Sequence, residues 1–145
     1  MAAYEIYVNA LQSLKTIEGL TTSFTLQAYP KSLLEKTASL GGNSLGIDPS
    51  EGPLMSILIL SFWQNKEDDD KLLSTFKGAI EAIDQDAATR GTGVPYKYMN
   101  YAAPFQDPIE SYGKENKAKL QATSKKYDPE GLFQKGVPGG WKLFN

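Results

Sequence analysis

The chain has 145 residues, of which 41% are apolar and 22% charged, and its formal charge is −2. That is the composition of one globular domain spanning 1–145, and it excludes a disordered tract and gives no basic surface for a nucleic acid or an anionic membrane. Cysteine and histidine are both absent, which removes disulfides, thiolate nucleophiles, Fe–S sites, Ser-His-Asp triads and ordinary zinc sites in one stroke.

The opening residues Met1–Glu5 carry no basic region ahead of an apolar core, so no signal peptide is read and a cytoplasmic protein is expected. From Ala2 to about Thr16, Tyr4, Tyr7, Val8, Leu11 and Leu14 recur at helical spacing, with Gly19 as terminator. Leu20 to Tyr29 alternates instead. Leu20, Thr22, Phe24, Leu26 and Ala28 point one way, while Thr21, Ser23, Thr25, Gln27 and Tyr29 point the other, the period of a half-buried strand. Pro30 ends it, and Lys31–Leu40 reads as a short helix.

Gly41 to Pro53 is a loop by composition. Its glycines do not read as a phosphate cradle, because a helix precedes them where a nucleotide fingerprint needs a strand. Leu54 to Trp63 is apolar on both faces and is expected to be a central strand covered on both sides. At about ten residues it falls far short of the ~20 that span a bilayer, so no membrane association is expected. Asn65 fits an N-cap, and Glu67 to Asp70 suit the positive end of the helix that follows. The three adjacent Asp side chains fan out around a helix, so they are not read as a metal site. Leu72, Leu73, Phe76, Ile80, Ile83 and Ala87 form a buried stripe that Gly91 and Gly93 close.

Tyr96–Tyr101 reads as a third strand. Ile109, Tyr112, Asn116, Leu120, Thr123 and Tyr127 then fall at helical spacing, with the lysines at 114, 117, 119, 125 and 126 on the wet face. Asp128 before Pro129 looks like a cap, with Phe133 packing inward. The fold class is therefore α+β, an antiparallel or mixed sheet with helices packed on one face.

Three segments carry a family resemblance: Tyr96-Lys97-Tyr98-Met99-Asn100-Tyr101, Gln106-Asp107-Pro108, and Tyr127-Asp128-Pro129-Glu130-Gly131-Leu132-Phe133. Together with the closing Val137-Pro138-Gly139-Gly140-Trp141-Lys142-Leu143, they make the chain resemble the C-terminal, substrate-domain part of berberine-bridge-enzyme-like, FAD-linked oxidoreductases, fungal members above all. The resemblance covers nearly all of the chain, and the FAD-binding half of such an enzyme is not in it. The tether through His, or through His and Cys, that often holds the flavin in that family has no counterpart here, so no cofactor and no metal is expected on this chain alone.

By the same resemblance, the sheet roofs a substrate pocket that faces the isoalloxazine ring. The matching positions are Gln27, Tyr98 and Asn100 as catalytic candidates, with Thr25, Tyr29 and Tyr101 as substrate-binding ones; the Asn of the Tyr-x-Asn-Tyr motif lies beside the flavin in the family. The plainer alternative is that the polar strand face meets water. Tyr127, Asp128 and Pro129 are read as structural.

Three functions stay open. The first is a flavin-free enzyme of fungal secondary metabolism, an isomerase or cyclase of Diels–Alder, epimerisation or rearrangement type acting on an apolar small-molecule substrate. The second is a fragment or split subunit of an FAD-dependent oxidoreductase, and the third a non-catalytic binding module. A homodimer is expected, because surface that relatives bury against an FAD-binding domain is left uncovered.

Overall fold

The computed structural model describes residues 2–144, with the backbone alone at 38 and 39. The fold is α+β, with an antiparallel sheet of two strands and several helices. In chain order these are α1 (Ala2–Leu11), β1 (Thr21–Tyr29), α2 (Lys31–Ser39), β2 (Leu54–Phe62), α3 (Asp69–Thr89), α4 (Pro108–Ser111) and α5 (Lys114–Tyr127), with short helical turns between them. The backbone gathers into two compact units, Met1–Gln27 with Met55–Val94, and Ala28–Leu54 with Pro95–Asn145.

The first unit is built on helical periodicity. Leu72, Phe76, Ala79 and Ile83 fall on one stripe of α3 and are buried. Leu72 and Phe76 join Tyr7, Leu14 and Ile17 in one core, with Val8, Leu11, Leu20, Phe24, Ile59 and Trp63 packed around it. Burying a Leu or Phe of this kind stabilises by roughly 1.5–3 kcal/mol. Tyr4 sits at the rim, its ring edge-on to Phe24 at 5.8 Å and itself exposed. α3 stops as expected, with the Thr92 and Gly93 amides donating to the Ala87 carbonyl. Asn65 makes no side-chain cap, and Asp69 accepts the Trp63 indole N–H at 2.7 Å instead.

The strand register is fixed by hydroxyls. Ser61 Oγ donates to Thr22 Oγ1 at 2.8 Å, and the Tyr7 hydroxyl donates to the same oxygen at 3.2 Å. Setting Thr22 across from Ser61 places Phe24 across from Ile59, and Thr25 across from Leu58. At that rung the alternation changes phase on both strands. In β1 the less exposed residues are Thr22 and Phe24, then Thr25, Gln27 and Tyr29; in β2 they are Leu54, Ser56 and Leu58, then Ile59 and Ser61. Because both strands switch together, no residue is inserted in either; the covered face of the sheet changes.

Two expectations for the strands are corrected here. Among the described residues the sheet has no third strand: residues 96–98 belong to no strand, the Lys97 amide donating to Ser111 Oγ at 2.9 Å, and Met99–Tyr101 is a helical turn closed by the Tyr101 amide donating to the Tyr98 carbonyl at 3.0 Å. The turn wins because the Tyr98 and Tyr101 rings meet edge to face at 4.7 Å, a contact that strand alternation would prevent. Nor is β2 covered on both sides along its length, since Met55, Ile57, Leu60 and Phe62 are exposed.

The second unit relies on polar stitching. Its buried residues include Leu34, Pro108, Ile109 and Tyr112. The single helix expected over 109–127 is broken: Gly113 has φ +84°, which only glycine adopts without strain, and it separates α4 from α5. Asp107 caps α4 by accepting from the Glu110 amide at 3.0 Å, with Pro108 in the first turn. Lys117 pairs with Glu110 across the break.

Asp128 does cap, accepting from the amides of Leu132 and Phe133 at 2.7 and 3.0 Å. That turn carries Phe133 outward to 67% exposure, against the expected inward packing, and Tyr127 is likewise exposed. The closing segment is tied back by Gln121 Nε2 donating to the Leu143 carbonyl and by the Leu143 amide donating to Gln134 Oε1, at 2.6 and 2.8 Å.

Candidate functional site

Six of the chain's eight tyrosines fall in the second unit, and all but Tyr127 belong to one cluster. Tyr96 leaves the extended segment to stack on Tyr112, with centroids 5.7 Å apart and planes 19° from parallel. Tyr98 and Tyr101 form the edge-to-face pair on the turn, and Asn100 between them donates from Nδ2 to the Tyr98 hydroxyl at 2.9 Å. That bond occupies an acceptor position on Tyr98 and leaves its O–H available as a donor. The strand-end phenol Tyr29 lies close enough to act electrostatically on Tyr96.

Burial favours the neutral form of two of these phenols, Tyr96 and Tyr112. Burial, reinforced by the neighbouring Tyr112, Tyr29 and Tyr98, pushes Tyr96 up to about 12. Tyr112 is raised for the same first reason, burial, with a backbone hydrogen bond at Met99 opposing it. The cluster is an aromatic surface carrying hydroxyl groups, in which Tyr96 and Tyr112 are held in the neutral form. It suits an apolar ligand with a carbonyl or ether oxygen.

A cavity of about 340 Å³ opens in the same unit, between α2, the 42–49 loop and the start of α5. Leu34, Ile47 and Pro49 supply its apolar wall, and Asn43, Asp48 and Asn116 its polar groups. It is joined to the tyrosine cluster through the backbone of Tyr112, whose carbonyl accepts from Asn116 Nδ2 at 2.9 Å. Gly46 packs against that same carbonyl at φ +74°, so a Cβ there would overlap it.

The cavity does not fit the pyrophosphate of a dinucleotide. No cation lines it, and the Asp48 carboxylate does; the Ser50 amide hydrogen bond holds Asp48 below the usual carboxylate range, so it stays ionised. Among the described residues no group of three His, Cys, Asp or Glu side chains is placed to hold a metal ion. No helix among them is long and apolar enough to cross a membrane.

Of the residues expected to form the site, Tyr98, Asn100 and Tyr101 come together in the second unit, and Tyr29 joins them through Tyr96. Thr25 and Gln27 belong to the first unit, where they are half-buried on the strand face they share with Tyr29. Tyr96 and Tyr112 were not singled out from sequence. The available signal, the Tyr96-x-Tyr98 spacing, has the period of a strand.

No protein-family model matches the chain, and no solved structure matches it either. Curated proteins do. An FAD-dependent monooxygenase of Fusarium proliferatum is 40% identical over 121 residues, which are 81% of this chain and 23% of that protein. A second, from Cochliobolus heterostrophus, is 39% identical over 118 residues, again 81% and 23%. The relatives are fungal proteins of the FAD-dependent monooxygenase family. A bifunctional solanapyrone synthase of Alternaria solani is 30% identical over 130 residues, 90% of this chain and 25% of the synthase. The chain thus spans about a quarter of the length of the curated relatives it matches.

Proposed function

We propose that the chain is the substrate-binding part of a fungal, berberine-bridge-enzyme-like oxidoreductase, and that it holds an apolar natural-product intermediate against Tyr29, Tyr96, Tyr98, Tyr101 and Tyr112. The observation that carries this is the tyrosine cluster with Tyr98 presenting a donor, in a chain whose relatives are FAD-dependent monooxygenases. FAD, when bound, supplies two-electron redox chemistry. The described residues offer no pyrophosphate site, so the flavin is held by polypeptide of the kind that fills the other three quarters of the relatives. This chain's contribution is to exclude water, stack on the substrate and aim the Tyr98 hydroxyl at a substrate oxygen.

The test uses tyrosine-labelled protein titrated with a polycyclic aromatic ketone and followed by NMR. Shifts concentrated in Tyr29, Tyr96, Tyr98, Tyr101 and Tyr112 are expected, with Tyr4, Tyr7 and Tyr127 as internal controls. Tyr98→Phe should weaken binding of the ketone about five- to tenfold, the worth of one hydrogen bond, with stability changed by no more than about 0.5 kcal/mol. Uniform shifts across all eight tyrosines would remove the cluster as the site.

A second reading is favoured by the relative named a bifunctional synthase. In it the same cluster templates a cofactor-independent cyclisation or isomerisation, with proximity and one phenolic donor lowering the barrier. Absorbance between 350 and 500 nm separates the two. Turnover by a colourless preparation supports the cyclase, and turnover that appears only with a yellow partner supports the oxidoreductase.

A further inference from the structure

The cavity between α2, the 42–49 loop and the start of α5 is not used by the tyrosine cluster, and its polar lining has one dominant character. Its volume of about 340 Å³ is that of a small-molecule site, in which apolar walls carry a few placed polar groups. The polar side chains lining it are Thr37, Asn43, Asp48 and Asn116. Thr37 spends its hydroxyl hydrogen on the Leu33 carbonyl at 3.4 Å and keeps only oxygen lone pairs to offer. Asn116 commits its Nδ2 to the Tyr112 carbonyl at 2.9 Å, which leaves Oδ1 as an acceptor. Asp48 Oδ1 accepts from the Ser50 amide at 2.8 Å, and an ionised carboxylate is acceptor throughout. Asn43 is the exception: its Oδ1 accepts from the Leu45 amide at 2.8 Å, and its Nδ2 hydrogens remain.

We propose that this cavity is a second binding site and that it takes a small organic cation, a protonated amine on a compact aliphatic body. The ammonium head meets the Asp48 carboxylate and the Asn116 and Thr37 oxygens, while the carbon body covers Leu34, Ile47 and Pro49. Other ligand classes fit less well. An anion meets a carboxylate and no lysine or arginine in the lining. A divalent metal ion wants several charged oxygens, and one carboxylate is not enough. A neutral alcohol forgoes the ion pair. Asp48 lies at the exposed rim, so the head can pair with it while keeping part of its water, which limits the desolvation cost. An amine as basic as a lysine is charged at neutral pH. The site stands apart from the flavin question, since neither reading of the tyrosine cluster depends on it.

The experiment titrates the isotopically labelled chain with cyclohexylmethylammonium and follows it by NMR, with cyclohexylmethanol and cyclohexanecarboxylate as the neutral and anionic counterparts. The probe has no aromatic ring, so any preference for it reads charge and not stacking. Saturable shifts at the Leu34 methyls, the Ile47 and Ser50 amides and the Asn116 side chain are expected, with a Kd of about 1 mM or below. The alcohol and the carboxylate should each bind at least fivefold more weakly. Asp48→Asn keeps an oxygen for the Ser50 amide and removes the charge, so it should weaken the ammonium at least fivefold and leave the alcohol unchanged. Thr37→Lys, on the half-buried side of α2, puts a cation in the lining and should reverse the order, favouring the carboxylate. Circular dichroism of both variants checks that the fold is retained, and Tyr98→Phe should leave ammonium binding as it was. Shifts that do not saturate, equal binding of all three probes, binding indifferent to Asp48→Asn, or shifts concentrated in the tyrosine cluster and lost in Tyr98→Phe would each overturn the proposal.

Discussion

The two units solve the problem of stability differently. The first buries a continuous core in which Leu14 and Leu72 are almost wholly enclosed. The second encloses less and depends on Asp107 and Asp128 caps, the Asn116 and Gln121 amides and a lysine–glutamate pair. What separates them is direction. Apolar burial is indifferent to orientation, whereas hydrogen bonds fix particular groups in particular places. The tyrosine cluster, the candidate site, lies in the unit built by hydrogen bonds.

The sharpest test of the contrast is truncation in the first core. Leu72→Ala and Phe76→Ala should each cost about 2–5 kcal/mol in urea unfolding through lost transfer energy and a residual cavity. Ile59→Ala, at a half-buried strand position, should cost about half as much. Equal losses at all three positions would mean that the strand is as deeply enclosed as the helices.

In the second unit backbone geometry should matter more than volume. Gly46→Ala adds one methyl at a positive φ and against the Tyr112 carbonyl, so it should cost about 1–3 kcal/mol and shift the Tyr112 ring resonances. Asp128→Ala removes two amide partners at once and should cost about 0.5–2 kcal/mol, read as a fall in thermal midpoint with the first core intact. A neutral Asp128→Ala would show that the closing segment is held by other contacts.

The smallest effect is one of pH. Tyr96 is raised from 10.0 to about 12 in the folded chain. Below pH 10 the phenol is protonated in both folded and unfolded states, so it adds no pH dependence. As pH climbs from about 10 toward about 12 the unfolded chain loses this proton first, and stability should fall. A spectrophotometric titration of tyrosinate should lose its latest-ionising group in Tyr96→Phe, and the alkaline fall in stability should flatten.

Much of the first unit was legible in sequence because helical burial repeats every three or four residues, and Leu72, Phe76 and Ile83 announce it. The strands were legible as strands, but not their coverage: a period-two pattern cannot say that the covered face changes at Phe24 and Ile59. The second unit was harder for a different reason. Gly113 breaks a periodic stripe that otherwise runs on, and at Tyr98–Tyr101 ring contacts outweigh strand propensity. Of the site, the Tyr98, Asn100 and Tyr101 group was marked by the family motif. Tyr96 and Tyr112 escaped because stacking partners 16 residues apart leave no local pattern.

The chain has two tryptophans, and one falls in each unit. Trp63 packs against the first core with its indole held by Asp69, and Trp141 sits half-buried in the closing segment of the second. Replacing either by phenylalanine leaves a fluorophore that reports one unit alone. Two single-tryptophan proteins unfolded side by side would reveal whether the halves melt in one transition or in sequence. That is a measurement of cooperativity built into the distribution of two side chains.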